Sequence, residues 1–267
     1  MDTPSFRLRL FGGLALEKPS GPEDLFLSQR RVQAVLATLA LCGKMGCTRD
    51  RMIAYFWPES DERHGRHNLR DAVYTLRSTL GRDAVMGQGD ILRLNPSIIA
   101  TDVAEFTRAL SAGLLADAVD IYTGPLLNGF HIDAAPEWER WIEGERTRMF
   151  QECVGAFKRL AKKAENQERW DEAARWWGRA VALDSYNSRL VVRRIIALGR
   201  RGDRANAIQE GEAHIRLLRS ELNLDPDPSF LEELERIRQG DLGPVRFFTP
   251  PVGSPAEEPT PGSESDQ

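Results

Sequence analysis

The segment Glu62-Arg63-His64-Gly65-Arg66-His67-Asn68-Leu69-Arg70-Asp71-Ala72-Val73-Tyr74-Thr75-Leu76-Arg77-Ser78-Thr79-Leu80, followed by Gly81, decides the fold. Leu69, Val73, Leu76 and Leu80 are spaced 4, 3 and 4 residues apart, which is one stripe of a helix, and Gly81 supplies a C-terminal stop. A helix over 62–80 is expected, with that stripe buried. The opposite face holds His67, Arg70, Asp71, Tyr74, Arg77 and Ser78, and Arg63 and Arg66 precede it. Between residues 63 and 82 five arginines face a single acidic residue, Asp71.

An arginine-rich helix with one apolar face is most often a solvated surface helix, so its neighbours decide. Upstream, Ser28 looks like an N-cap, and Val32, Val35, Leu36 and Leu39 give helical spacing from Gln29 to Cys42, ended by Gly43 and Gly46. Thr48 then caps a short helix, 49–56, that stops before Pro58. Downstream, Val85-Met86 and Ile91-Leu92-Arg93-Leu94 flank Gly87-Gln88-Gly89-Asp90, a hairpin with glycine at its tip. Two shorter helices, a longer basic helix and a hairpin form the pattern of a winged helix-turn-helix.

On that pattern the basic helix enters the major groove of double-stranded DNA. Arg70 and Arg77 reach guanine edges or phosphates, and His67 and Asn68 face base edges near the helix start. Tyr74 shares the same face, and Arg63 and Arg66 neutralise phosphates. Gln88, between two glycines of the wing, approaches a minor groove, and Arg93 sits at the wing's root. Asp71 is discordant because it repels phosphate. It is expected either to accept from cytosine N4 or to pair with an arginine one turn away.

Further outward, Phe6, Leu8 and Leu10 alternate as in a half-buried strand that ends at Gly12-Gly13, and Leu14-Ala15-Leu16 and Leu25-Phe26-Leu27 suit two more short strands. From Asp102 the chain turns helical. Val103, Phe106 and Leu110 form one stripe, and 114–122 forms a second. Gly124 to Phe130 breaks the pattern. Pro136 opens a long helix to about Asn166 that buries Trp138, Trp141, Cys153, Phe157 and Leu160. Trp170-Asp171-Glu172-Ala173-Ala174 lies 34 residues before Arg204-Ala205-Asn206-Ala207-Ile208, which aligns Ala173 with Ala207. That is the tetratricopeptide period. The same offset aligns Leu183-Asp184 with Leu217-Leu218, expected where the second helix of each unit ends. Asp225-Pro226-Asp227-Pro228 breaks the chain before a last helix, 229–238.

The expected architecture is therefore α+β, a winged helix-turn-helix at 5–96, then an all-α tetratricopeptide-like repeat domain at 101–240. Residues 241–267 form a proline-rich acidic tail; its 249–267 stretch holds five prolines and no Leu, Ile, Lys or Arg, too little apolar surface to fold.

Composition narrows the function. The 267 residues are 41% hydrophobic and carry a net charge of −4, so wholesale coating of nucleic acid is not expected. Residues 1–96 nevertheless hold 14 Lys+Arg against 11 Asp+Glu. The longest nearly apolar run, 34–42, is far short of a membrane span, and Met1-Asp2-Thr3-Pro4 does not open a secretory signal. A soluble cytoplasmic protein without membrane contact is expected. Cys42 and Cys47 have four residues between them across a Gly-rich turn, not a C-x-x-C, and suit a small buried residue and a free thiol. His64 and His67 lack nearby zinc-type ligands. Glu137, Glu139, Glu143 and Glu145 suit a solvated face, and the tryptophans suit core knobs. No nucleophile and base stand in a catalytic arrangement, so neither enzyme activity nor a metal or cofactor is expected.

Residues 6–240 resemble the Streptomyces antibiotic regulatory protein type of transcription factor. In that family a winged helix like that of response regulators precedes a bacterial transcriptional activator domain of tetratricopeptide-like helices. The residues that carry the resemblance are 6–12 (Phe-Arg-Leu-Arg-Leu-Phe-Gly), Gln29-Arg30-Arg31, Trp57-Pro58-Glu59-Ser60-Asp61, and 68–77 in the recognition-helix position. Thr101-Asp102-Val103-Ala104-Glu105-Phe106, Tyr122-Thr123-Gly124-Pro125-Leu126-Leu127, Glu137-Trp138-Glu139-Arg140-Trp141 and 221–228 extend it through the second half. The resemblance implies sequence-specific binding to promoter DNA, often on direct repeats occupied by two protomers, and contact with RNA polymerase. Where many relatives end this helix with a doubly basic pair, this chain has Thr75-Leu76-Arg77-Ser78, which implies fewer phosphate contacts. No G-x-x-x-x-G-K-[ST] occurs, so ATP-driven switching within this chain is not expected. The contrasting expectation is an adaptor that binds no DNA and works through its repeats alone.

Overall fold

Alternating Phe6 and Leu8 give β1 (Phe6–Arg9), whose inward side chains are buried. The structure, a computed structural model, describes residues 4–18 and 29–241. The strand expected at 25–27, the Ser28 cap and the tail beyond 241 lie outside the described residues. β1 pairs antiparallel with β2 (Ala15–Glu17), Leu8 opposite Leu16, and parallel with β6 (Ile99–Thr101), Leu8 opposite Thr101. β6 is not anticipated in the sequence, because what makes it a strand is its pairing with β1, some 90 residues earlier.

α1 (Arg30–Cys42) follows Gln29, and every residue from Ala34 to Ala40 is buried. β3 (Cys47–Thr48) leads into α2 (Arg49–Phe56), where Thr48 Oγ1 caps the helix by accepting the Arg51 N–H. α3 (Glu62–Leu80) begins at the Asp61 cap, whose carboxylate accepts the His64 N–H at 2.9 Å. Leu69, Val73, Leu76 and Leu80 are buried as their spacing requires. β4 (Val85–Gln88) and β5 (Ile91–Leu94) form the hairpin, and β3 joins on the far edge of β5. β4 runs two residues further than expected, because Gln88 still pairs with Ile91 and only Gly89 and Asp90 turn. Gly89 adopts φ +58°, open to glycine at no steric cost.

The rest is helical: α4 (Asp102–Ser111), α5 (Leu115–Ile121), α6 (Pro136–Asn166), α7 (Trp170–Leu183), α8 (Ser188–Arg200), α9 (Arg204–Leu222) and α10 (Pro228–Gln239). From α4 to α9 each helix packs on the next, and α10 closes on α8 and α9. One expectation is corrected here: Leu183 ends the first helix of its pair, and Leu217-Leu218 lies inside α9, so neither marks the end of a second helix. The 34-residue offset fixes which residues correspond, not where a helix breaks. Asp184 to Asn187 make that break, with the Asn187 amide bonded to Asp184 at 2.9 Å. No described helix is long and apolar enough to cross a membrane.

The two halves share one continuous core. At the junction the buried Asp102 carboxylate accepts the N–H groups of Leu10 (2.8 Å), Phe11 (2.9 Å) and Val103 (2.8 Å). Burial pushes its pKa up, while these three donors pull it back. Deeper, Trp138 Nε1 of α6 donates to Thr38 Oγ1 of α1 at 2.8 Å, and that hydroxyl donates to the Ala34 carbonyl. Tyr55 of α2 stacks on Trp141, with centroids 5.4 Å apart.

Candidate nucleic-acid interface

α3 packs against α1, α2 and β4, which fixes its buried side and leaves the arginine-bearing side outward. At 100° per residue, Arg63, His67, Arg70 and Tyr74 fall on one stripe, and all four are exposed. Tyr74 is 73% exposed, unusual for so large an aromatic side chain. Arg63 and Arg70 make no side-chain hydrogen bond or ion pair among the described residues, so both guanidiniums keep all five donors for another partner.

The other candidates are placed differently. Arg66 pairs with Glu62 at 2.7 Å, an exposed i, i+4 contact worth a few tenths of a kcal/mol, about 0.3–0.5. Asp71 pairs with His67 Nε2 at 3.2 Å. The expected arginine partner is thereby replaced, because a histidine one turn earlier in the helix already lies within reach. Asn68 is half-buried at the edge of the stripe. The Asp61 cap holds His64 in place: its carboxylate takes the His64 N–H and, at 2.7 Å, the ring Nδ1, and these bonds lower its pKa.

Arg77 does not point straight outward. Its Nε and Nη2 donate to the Val85 carbonyl at 3.0 and 2.8 Å, which ties the end of α3 to the first residue of β4. This carbonyl takes two donors from one planar fork, so helix and hairpin are fixed relative to each other. At the hairpin root Arg93 donates to the Met45 carbonyl and to the Gln88 side chain, both at 3.4 Å, a contact the sequence gives no sign of.

Arg49 belongs with this group and is missed by periodicity. Its backbone N–H donates to the Asp90 carbonyl at the hairpin tip at 2.9 Å. Its guanidinium and that of Arg77 both lie beside Gly87. A methyl group at position 87 would sit 3.4 Å from Arg49 Nη2 and 3.9 Å from Arg77 Nη2. Only the fold-back of the hairpin creates this neighbourhood. The surface thus presents a helical stripe with two guanidiniums unpaired among the described residues, an exposed tyrosine and a neighbouring two-stranded hairpin that carries Arg93 and lies beside Arg49 and Arg77.

A family model described as bacterial transcriptional activator domain matches residues 101–238. In three dimensions the chain resembles EmbR of Mycobacterium tuberculosis, solved in complex with a low affinity phosphopeptide. The TM-score is 0.63 at 20% sequence identity, over 91% of this chain and 67% of that one. No curated protein matches the sequence.

Proposed function

This chain belongs to the bacterial transcriptional activator domain family, and on that premise we propose that it is a DNA-binding transcriptional regulator of the Streptomyces antibiotic regulatory protein type, acting as an activator. Residues 5–96 work as a winged helix-turn-helix. α3 lies in the major groove, Arg70 faces base edges, and Arg63 and Arg66 take phosphates. The β4–β5 hairpin follows the adjacent backbone with Gln88 and Arg93, and Arg77 holds it to α3. Two protomers occupy direct repeats of a promoter, and the helical units of 101–240 present the complex to RNA polymerase. The observation that carries this reading is the exposed stripe of Arg63, His67, Arg70 and Tyr74, with two of its cations unpaired and a hairpin fixed beside it.

The test is a titration of the full chain against the duplex upstream of its own gene and against random duplex, each at two salt concentrations. A regulator binds its own upstream region more tightly, by about 10³-fold or more as specific sites typically are, and keeps a preference at the higher salt. Equal affinity for the two duplexes overturns the proposal in favour of the adaptor.

A further inference from the structure

Gly87 stands inside β4, where a glycine weakens a strand and often marks the close approach of another group. Its backbone does not ask for glycine, because its φ is not positive. What the missing side chain leaves is room. A methyl group at 87 would lie 3.4 Å from Arg49 Nη2, 3.7 Å from Leu92 Cδ2 and 3.9 Å from Arg77 Nη2. Gly87 is exposed, so this gap opens to solvent. Two guanidiniums therefore converge on one open space, and neither makes an ion pair among the described residues. Arg77 commits its Nε–H and one Nη2–H to the Val85 carbonyl, which leaves three of its five donors. Arg49 makes no side-chain hydrogen bond among the described residues and keeps all five. Arg49 also opens α2, the end at which the helix dipole disfavours a cation. By contrast Arg140, Arg146 and Arg148 each hold a glutamate of their own helix. Two like charges drawn together beside a strand glycine, with no acid paired to either, are unfavourable until an anion joins them.

We propose that the gap at Gly87 is a phosphate site, in which Arg49 and Arg77 donate together to one tetrahedral oxyanion, and that its occupant is a backbone phosphate of bound duplex. The site stands on the fold; only the source of the phosphate rests on the DNA-binding reading. Charge-assisted bonds from two guanidiniums hold a phosphate firmly, and the anion removes the repulsion between them. Gly87 supplies the clearance that any side chain would take. Because Arg77 is also bonded to the Val85 carbonyl, and the Arg49 N–H to the Asp90 carbonyl, the start of α2, the end of α3 and the hairpin all meet at this one phosphate. Such a contact carries no sequence information of its own. It sets the register of the winged half on the duplex, whatever base Arg70 reads.

The experiment uses the full chain in two arms, with wild type, Arg49→Ala and Gly87→Val. Arg49→Ala removes a side chain that has no hydrogen-bond or ion-pair partner among the described residues. Gly87→Val fills the gap with both arginines in place, at an exposed strand position open to a β-branched residue. In the first arm the upstream duplex is ethylated at its phosphates, and bound and free fractions are compared. One phosphate per half-site is expected to block the wild type when ethylated and to lose that effect in both variants. On random duplex the log–log salt slope is expected to fall by about 0.9 per protomer in both. In the second arm inorganic phosphate, without DNA and against chloride at equal ionic strength, is expected to raise the thermal midpoint of the wild type more than that of either variant. Loss of the interfering phosphate in the first arm establishes the site, with or without the shift in the second. A shift in the second arm with an unchanged first arm means that the gap holds free phosphate, and overturns the backbone assignment. No difference between wild type and variants in either arm overturns the site. If the wild type binds no duplex, the DNA-binding reading has failed and the second arm alone decides the site.

Discussion

Arg63 and Arg70 share one exposed stripe, and a groove-bound helix uses them differently. On the proposed function Arg70, nearer the middle of α3, reads a base. Arg70→Ala is expected to cost about 1–3 kcal/mol on the specific site and much less on random duplex. On the same proposal Arg63, at the helix start, contacts phosphate. Arg63→Ala is expected to weaken all sequences alike and to reduce the log–log salt slope by about 0.9. Anisotropy titrations of both variants over a salt series check this, and a uniform loss from Arg70→Ala would make it a phosphate clamp instead. The stripe was legible because it repeats every 3 or 4 residues, independent of anything distant. The destination of Arg77 was not, because its acceptor, the Val85 carbonyl, comes into reach only after the chain has turned at Gly81. Asp71 shows the limit of the same logic within a single helix: one turn was the right distance, but the partner is His67.

Among the elements, α1 and α3 were readable from an apolar stripe ended by glycine, α2 from its Thr48 cap, the hairpin from its glycine-rich tip, and the long α6 from Pro136 at its start and the apolar side behind it. The helical pairs were readable in period but not in partition, since correspondence at 34 residues does not locate the break at Asp184 to Asn187. What holds those pairs together has a pH signature. His214 of α9 is buried, with Nε2 2.9 Å from the Ser188 hydroxyl at the start of α8 and its ring 5.2 Å from that of Phe230 in α10. Burial holds its pKa below the ordinary 6.5. The unfolded chain therefore binds the proton more readily than the folded one. This contribution to stability is complete above 6.5 and is lost as pH falls through the folded-state value. The thermal midpoint of the wild type is expected to drop as pH is lowered from 6.5, and that of His214→Gln to show a shallower slope over the same window. Parallel slopes would remove His214 from the account.

For the molecule as a whole, charge and pattern suggested two regions joined near residues 97–100, and the physical joint is more intimate. β6 enters the sheet of β1, Asp102 gathers the N–H groups of Leu10 and Phe11, and Trp138 reaches Thr38. None of these was legible, because each pairs residues roughly 90 or more positions apart. Thr38→Val leaves the Trp138 N–H buried without an acceptor, at a cost of about 1–3 kcal/mol. A single calorimetric transition moved to lower temperature is expected; two transitions, only one of them shifted, would show that the halves melt separately. A joint of this kind fixes the direction in which α3 faces. The central claim, that this face enters the major groove, is tested most directly by methylation interference on the bound upstream duplex. The account predicts that methyl groups at guanine N7, in the major groove, block the wild type, and that Arg70→Ala loses that dependence at one guanine. Interference confined to adenine N3, in the minor groove, would contradict it.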